Sequence, residues 1–104
     1  MKNVIILEEA AEDIEQARDF YEAQQQGIGK YFVETITADL ISLRHFSGIH
    51  SQHFGFYRML GSRFRLGIYY RERDNDTLVA AVLDLRRAPT WIRKQLRGRQ
   101  APNE

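Results

Sequence analysis

Four arginines in the second half of the chain are the residues best suited to do chemistry. Arg58, Arg65, Arg86 and Arg87 fall in three consecutive segments whose residue patterns are typical of strands. A guanidinium stays charged at any relevant pH, and its planar set of donors matches the geometry of a phosphate. If these strands are neighbours, the sequence predicts a cationic surface, on one face of a sheet, that can bind phosphate groups.

Two tyrosines accompany these arginines. Tyr57 and Tyr69 could supply hydroxyl groups or flat rings beside the guanidiniums, an arrangement that suits single-stranded nucleic acid. The alternative is that strand arginines alternate outward only to keep one face of the sheet in contact with water. The spacing alone leaves both interpretations open.

The strands that would carry these residues are defined by their alternation. Apolar residues occupy every second position from Phe64 to Tyr70, and a polar turn at 74–76 precedes a continuous apolar run from Thr77 to Leu83. An earlier strand covers Phe54 to Leu60 and joins the next through a tight turn at 61–62. We therefore predict three consecutive antiparallel strands that end at Arg87.

The first half of the chain predicts a helical hairpin. A short strand at Val4–Leu7 is followed by apolar residues at three- and four-residue steps as far as Tyr21, and by a second such stripe from Ile28 to about Phe46. The short junction between the helices makes them antiparallel neighbours that need a sheet to cover their apolar face. The predicted fold class is α+β: an N-terminal strand and a two-helix hairpin packed on an antiparallel sheet.

A short C-terminal helix completes this fold. Proline at position 89 ends the last strand, and Thr90 is the predicted N-cap. The helix should turn three apolar residues inward, Trp91, Ile92 and Leu96, and four cations outward, Arg93, Lys94, Arg97 and Arg99. We expect the tail at 101–104 to be frayed.

Composition restricts the classes of protein. The chain has 104 residues, which predicts a single domain over 1–104, and it has no cysteine to form disulfides or thiolate metal sites. The N-terminal apolar run is too short for a signal peptide or a membrane span, so we expect a cytoplasmic protein without membrane contact. Residues 1–52 carry four Lys/Arg against nine Asp/Glu, and residues 53–104 carry eleven against five. The basic second half therefore favours a polyanion or an acidic partner, although mutual neutralisation of the halves is an equal alternative.

Other chemistries find little support. His45, His50 and His53 are close in sequence but lack the spacing of a metal site, and we expect them to be solvated or locally hydrogen-bonded. The chain has no glycine-rich phosphate loop and no serine in a nucleophile context. We therefore predict neither a metal nor a cofactor.

The order of these elements and several local patterns resemble the RelE/ParE superfamily of type II toxins, a plasmid-stabilisation family. The resemblance begins with a helix that opens after the first strand and continues through the helix junction and the strand ends. The matching stretches are Glu9-Ala10-Ala11-Glu12-Asp13-Ile14, Gln26-Gly27-Ile28-Gly29 with Phe32, Tyr57-Arg58, Arg63 to Arg71, and Val82 to Pro89 with Trp91. They extend over nearly the whole chain.

The resemblance implies a growth-inhibiting toxin and a cognate antitoxin that binds it in a hetero-oligomer. In the RelE branch the target is mRNA on the ribosome, which is cut without a metal, and in the ParE branch it is DNA gyrase. Carried onto matching positions, Arg65 and either Arg86 or Arg87 would stabilise a phosphorane, Arg58 would hold the backbone, and Asp84 would act as a base. Tyr57, Tyr69 and Arg87 would help to bind the target.

Departures from the family pattern favour one branch over the other. Many relatives have histidine where this chain has Asp84, and the C-terminal aromatic residue here is Trp91, which cannot exchange a proton. A lysine-rich cluster is also missing. We therefore favour a ParE-like gyrase inhibitor. The alternatives are a RelE-like, metal-independent mRNA endoribonuclease and a non-toxic family member that acts only as a binding module.

Overall fold

A computed structural model describes residues 1–99. Its elements, in chain order, are β1 (Asn3–Ile6), α1 (Glu8–Gln24), α2 (Ile28–Phe46), β2 (Gln52–His53), β3 (Phe56–Leu60), β4 (Leu66–Arg73), β5 (Asp76–Asp84) and α3 (Pro89–Arg97). The strands form one sheet in the order β1-β5-β4-β3-β2. The predicted tail at 101–104 lies outside the described residues.

The sheet is mixed, whereas the sequence predicted an antiparallel one. β3, β4 and β5 form the predicted antiparallel meander, but β1 pairs in parallel with β5, with Ile5 opposite Leu78. β1 is followed by the helical hairpin and β5 is preceded by β4, and the two paired strands run in the same direction. A local pattern in β1 carries no information about which strand it will join.

The helical hairpin forms as predicted, with a glycine at its junction. Gly27 has φ +93°, a left-handed conformation that glycine adopts without strain. The Glu22 carboxylate accepts hydrogen bonds from the amides of Gly27, at 3.1 Å, and of Gly29, at 2.9 Å. A side chain near the end of α1 thus satisfies amides at the start of α2, which stabilises the tight antiparallel turn.

The sheet has two covered faces. We call the side beneath α1 and α2 the hairpin face. Its core joins the two helices to alternate residues of β3, β4 and β5, and its buried members are Ala10, Phe32, Ile36, Leu40, Leu43, Met59, Leu66, Ile68, Tyr70, Val79 and Val82. The other side is the α3 face, where the core is smaller and consists of Phe56, Tyr69, Ala80, Ala81, Leu83, Ile92 and Leu96.

Three local predictions need correction. The 61–65 segment is a longer connection than the predicted two-residue turn. The strand predicted from Phe54 begins at Phe56, and a two-residue strand, β2, pairs with it. Ala88 rather than Thr90 is the N-cap residue of α3, with Pro89 in the first turn, where its missing amide hydrogen costs nothing.

None of the helices in residues 1–99 combines the length and the apolar character that crossing a bilayer would require.

Candidate functional site

Arg58 lies on the α3 face in contact with Tyr69. The two residues are opposite each other in the pairing of β3 with β4, and the Arg58 stem lies over Gly67, which has no side chain. Burial raises the pKa of the Tyr69 hydroxyl, and the nearby Arg58 guanidinium partly offsets that rise. The two groups are close without being well aligned, since neither Arg58 Nε nor Tyr69 Oη has a hydrogen-bond partner within residues 1–99.

Tyr69 is therefore not available as a stacking surface. Its side chain is 0% exposed and belongs to the core beneath α3. Tyr57, the second predicted tyrosine, lies on the hairpin face, where its ring stacks on Tyr70 with a centroid distance of 5.2 Å. The sequence predicted that the two tyrosines lie together. Tyr57 of β3 is opposite Tyr70 of β4, however, and Tyr69, which precedes Tyr70, points to the other side of the sheet.

Arg65 is the most accessible of the predicted arginines that share the α3 face. It immediately precedes β4, and its carbonyl accepts a hydrogen bond from the amide of Leu85 at 3.0 Å. Its two neighbours in the chain, Phe64 and Leu66, both pack on the hairpin face, so the Arg65 side chain projects toward the other side of the sheet, where Gly67 and Tyr69 lie. The side chain is exposed and makes no ion pair with an acid among residues 1–99. Its charge is thus free to meet a partner.

Asp84 and Arg86 form a closed pair on the other side. The Arg86 guanidinium donates to both oxygens of Asp84, at 3.0 Å from Nε and 2.9 Å from the terminal nitrogen. The hydrogen bonds from Arg86 hold the pKa of the Asp84 carboxyl below its usual value. Asp84 is opposite Leu66, a hairpin-face residue, and both charges act on the Tyr21 hydroxyl of α1, whose pKa burial raises.

Arg87 turns toward α3. Its guanidinium carbon lies 4.0 Å from the centre of the Trp91 ring, a cation–π distance, and its amide donates to the Asp84 carbonyl at 3.2 Å. Trp91 is half-buried and packs against the core of the α3 face. Arg87 and Trp91 thus fix the turn from β5 into α3.

The predicted single cationic face is consequently wrong in its geometry. Arg58 and Arg65 belong to the α3 face, whereas the closed Asp84–Arg86 pair lies beside α1. A base with a lowered pKa, already bonded to an arginine, is poorly suited to remove a proton from a ribose hydroxyl. Whether these residues act on a target stays a prediction, but the arrangement does not assemble the acid, the base and the phosphorane-binding cations at one point.

Three exposed cations lie together on α3. Its outer side presents Arg93, Lys94 and Arg97, all exposed as predicted, and Arg65 belongs to the same face of the sheet. Arg93 also lies over the Phe54 ring at 5.6 Å. This set of exposed cations, which we call the α3 cationic surface, can bind an acidic or phosphate-bearing partner.

The sequence interpretation missed an ion pair that involves a supposedly outward arginine. Both terminal nitrogens of Arg99 donate to the Asp13 carboxylate, one of them to Oδ1 at 3.0 Å, and the two side chains are only 10% and 11% exposed. Asp13 also accepts the amide of Val82 at 2.9 Å. The only signal in the sequence was an aspartate within the helical stripe, which is equally typical of a helix start.

Two of the three histidines are hydrogen-bonded and His45 is exposed on α2, in agreement with the prediction that each is either solvated or locally bonded. His50 Nδ1 lies 2.6 Å from the Tyr70 hydroxyl, and His53 Nε2 lies 3.0 Å from the Ser51 hydroxyl. Residues 1–99 contain no group of three His, Cys, Asp or Glu side chains that could hold a metal ion.

Comparison with known proteins agrees with this architecture. A chain in a solved structure, described as the chromosomal ParDE TA system from P. aeruginosa, superimposes with a TM-score of 0.71. The alignment covers 79% of this chain and 94% of that chain, at 15% sequence identity. The sequence matches no family model and no curated protein. The structural likeness confirms the predicted α+β fold, which this chain shares with a chain of that ParDE structure.

Proposed function

We propose that this chain is the toxin of a type II toxin–antitoxin pair and that it inhibits growth by binding its target through the α3 cationic surface. The target we favour is DNA gyrase, and a cognate antitoxin is the partner that neutralises the toxin. The proposal is supported by the fold, which is that of a chain in a ParDE toxin–antitoxin system.

The observation that carries the choice of binding over RNA cleavage is the separation of the charged groups. Asp84 is held by Arg86 beside α1, while Arg58 and Arg65 lie on the opposite face. Metal-free RNA cleavage needs proton transfer and phosphorane stabilisation at one phosphate. Binding to a protein or a protein–DNA complex needs only an accessible, complementary surface.

Expression of the chain alone in bacteria provides the first test. We expect slower growth and induction of the DNA-damage response, with relief when the product of a neighbouring small gene is co-expressed. Primer extension on cellular mRNA should show no codon-phased cuts. Such cuts would establish the ribosome as the target, and undiminished growth despite soluble expression would contradict toxicity altogether.

A charge reversal locates the surface. Arg65→Glu should restore growth, because it places a negative charge within the α3 cationic surface. Lys30→Glu is the matched control, since Lys30 is an exposed cation of α2 on the hairpin side. Purified protein should inhibit supercoiling by gyrase, and Arg65→Glu should reduce that inhibition at least tenfold. Equal inhibition by both variants would exclude the α3 cationic surface.

A further inference from the structure

β1 is the outermost strand on one side of the sheet. It pairs only with β5, and the amides of Asn3 and of Leu7, directly after β1, donate to carbonyls on the β5 side at 2.9 and 3.0 Å. The backbone groups at the alternate positions, Val4 and Ile6, therefore point away from the sheet. Within residues 1–99 the amides and carbonyls of Val4 and Ile6 have no hydrogen-bond partner. The outer edge of β1 is thus open to another strand.

The part of β5 that extends past β1 is covered, whereas the outer edge of β1 is not. Arg99 donates to the Ala80 carbonyl at 3.2 Å, and the Val82 amide donates to Asp13 at 2.9 Å, so that side chains occupy the β5 edge. Proteins usually protect an open edge with a charge, a proline or a bulge. The segment from Val4 to Ile6 has none of these and is wholly apolar.

A groove of about 490 Å³ lies beside this edge, between β1 and α2. Val4 and Ile6 line it from β1, and Thr37, Leu40 and Ile41 line it from α2. Ile6 is 36% exposed and Ile41 is 54% exposed. We call these five residues the β1 edge surface. A strand that paired with β1 would also cover its exposed apolar side chains.

Charges of opposite sign lie at the two ends of the β1 edge surface. The amide of Lys2 donates to the carbonyl of Arg44 at 3.0 Å, so the end of α2 lies beside the start of β1. Arg44 is exposed there, and Glu34 is exposed about 15 Å earlier along α2. Their spacing places both on the side of α2 that holds Ile41. Neither charge has an ion-pair partner among residues 1–99.

This arrangement is complementary to itself. A twofold axis that passes through Ile5, normal to the sheet, makes β1 antiparallel to its copy and brings Arg44 of each chain to the end that holds Glu34 of the other. In an antiparallel ladder, paired residues exchange both of their backbone hydrogen bonds. Val4 opposite Ile6 of the copy uses every open group of both strands, whereas a shift by two residues leaves an open group of Val4 or Ile6 unpaired.

We infer that the β1 edge surface binds a second copy of this chain, and that two five-stranded sheets join through their β1 strands. Val4 of each chain exchanges two hydrogen bonds with Ile6 of the other, and Ile41 of each chain packs into the groove of the other. The same axis places both helical hairpins on one side of the joined sheet and both α3 cationic surfaces on the other. A partner with a repeated site can then bind both surfaces at once. The inference does not depend on the proposed function.

Sedimentation equilibrium of the purified chain tests the dimer without any growth assay. A single chain has a mass of 12.2 kDa, and we expect twice that mass, falling to the single-chain value on dilution. A single-chain mass at every concentration up to about 1 mM would overturn the inference. Assemblies larger than two chains would also overturn it, because pairing through β1 uses the only edge that the inference invokes.

A proline variant tests the backbone pairing. Ile6→Pro removes an amide hydrogen that no group in residues 1–99 accepts, at an edge position that proline tolerates. We expect it to weaken the dimer at least tenfold, with thermal unfolding used to verify that the variant is folded. A wild-type chain that stays single, with an Ile6→Pro variant that loses the product of the neighbouring gene, would assign the surface to the antitoxin and contradict a second copy.

A charge exchange tests the self-complementarity. Glu34→Arg and Arg44→Glu should each weaken the dimer at least tenfold, because each places like charges together at both ends. The double variant restores opposite charges and should dimerise nearly as tightly as wild type. Glu15→Arg and Arg73→Glu, exposed charges outside the surface, are the matched controls and should leave the dissociation constant unchanged. A dimer that all of these variants retain equally, or a double variant that does not recover, would overturn the inference.

Discussion

The cores of the hairpin face and of the α3 face differ in the helices that cover them and in the polar groups that they contain. The hairpin face lies under two long helices, and its largest buried side chains are Tyr70, whose hydroxyl accepts a hydrogen bond from the amide of Gly48, Phe32 and Leu43. The α3 face lies under one nine-residue helix and holds a buried tyrosine beside a half-buried arginine. From this difference we expect the hairpin face to supply more of the free energy of unfolding than the α3 face.

Among the variants that test this comparison, truncation of an aromatic residue of the hairpin face should change the free energy of unfolding most. Phe32 is 0% exposed and contacts the rings of Tyr21 and Phe64. We expect Phe32→Ala to lower the free energy of unfolding by about 4 kcal/mol, because it leaves a cavity among aromatic rings. Chemical denaturation measures the change. Leu96→Ala on the α3 face should cost less; an equal or larger cost would mean that the two faces contribute alike.

The Asp13–Arg99 ion pair, which joins α1 to the edge of β5, should give the second-largest change in stability. Asp13→Asn should lower the free energy of unfolding by about 3 kcal/mol, because it leaves Arg99 buried without its partner charge. Replacement of both residues by apolar ones removes that stranded charge, but it still leaves the Val82 amide and the Ala80 carbonyl unbonded. We therefore expect Asp13→Leu with Arg99→Met to remain less stable than wild type. Full recovery would show that these backbone bonds contribute nothing.

A methyl group at Gly67 tests how tightly the α3 face is packed. A Cβ there would lie 2.9 Å from Tyr69 Cε1 and 3.0 Å from Leu85 Cδ2. We expect Gly67→Ala to cost about 1–3 kcal/mol as these side chains shift. Gly98→Ala is the control, since its nearest neighbour would be 4.0 Å away, and its effect should stay within about 0.5 kcal/mol. Similar values for the two variants would indicate that the α3 face adapts freely.

Acidification should give the smallest effect and should act on the hairpin face. Burial lowers the pKa of His50, whose Nδ1 lies beside the Tyr70 hydroxyl, with Glu72 and Tyr57 also near that hydroxyl. Because the amide of Gly48 donates to the Tyr70 oxygen, the hydroxyl is set to donate to a neutral His50. The unfolded chain then binds more protons as the pH falls through about 6.5, so stability declines there and is fully present above it.

The control for this pH dependence is another histidine. Thermal unfolding between pH 7.5 and 5 should be less pH-dependent in His50→Asn than in wild type, whereas His45→Asn should leave the slope unchanged, because His45 is exposed on α2. Part of the slope should remain in His50→Asn, since burial also lowers the pKa of His53. An unaltered slope in His50→Asn would exclude the contact with Tyr70 as its source.

Residue patterns were sufficient to predict the helices and the meander. The apolar stripes of α1 and α2 and the alternation in β4 record which side of each element is buried, and burial of that side is what holds the element in place. The predicted C-terminal helix turned Ile92 and Leu96 inward, as the structure places them.

Tertiary structure alone decided how the charged groups are partnered. Asp13 and Arg99 are far apart in sequence, and nothing local distinguishes them from surface residues until α1 and the end of α3 meet over β5. The parallel pairing of β1 likewise depends on chain direction in space. Local periodicity reports which side of an element is buried, whereas the meeting of distant charges and strand edges depends on long-range packing that no short stretch of sequence encodes.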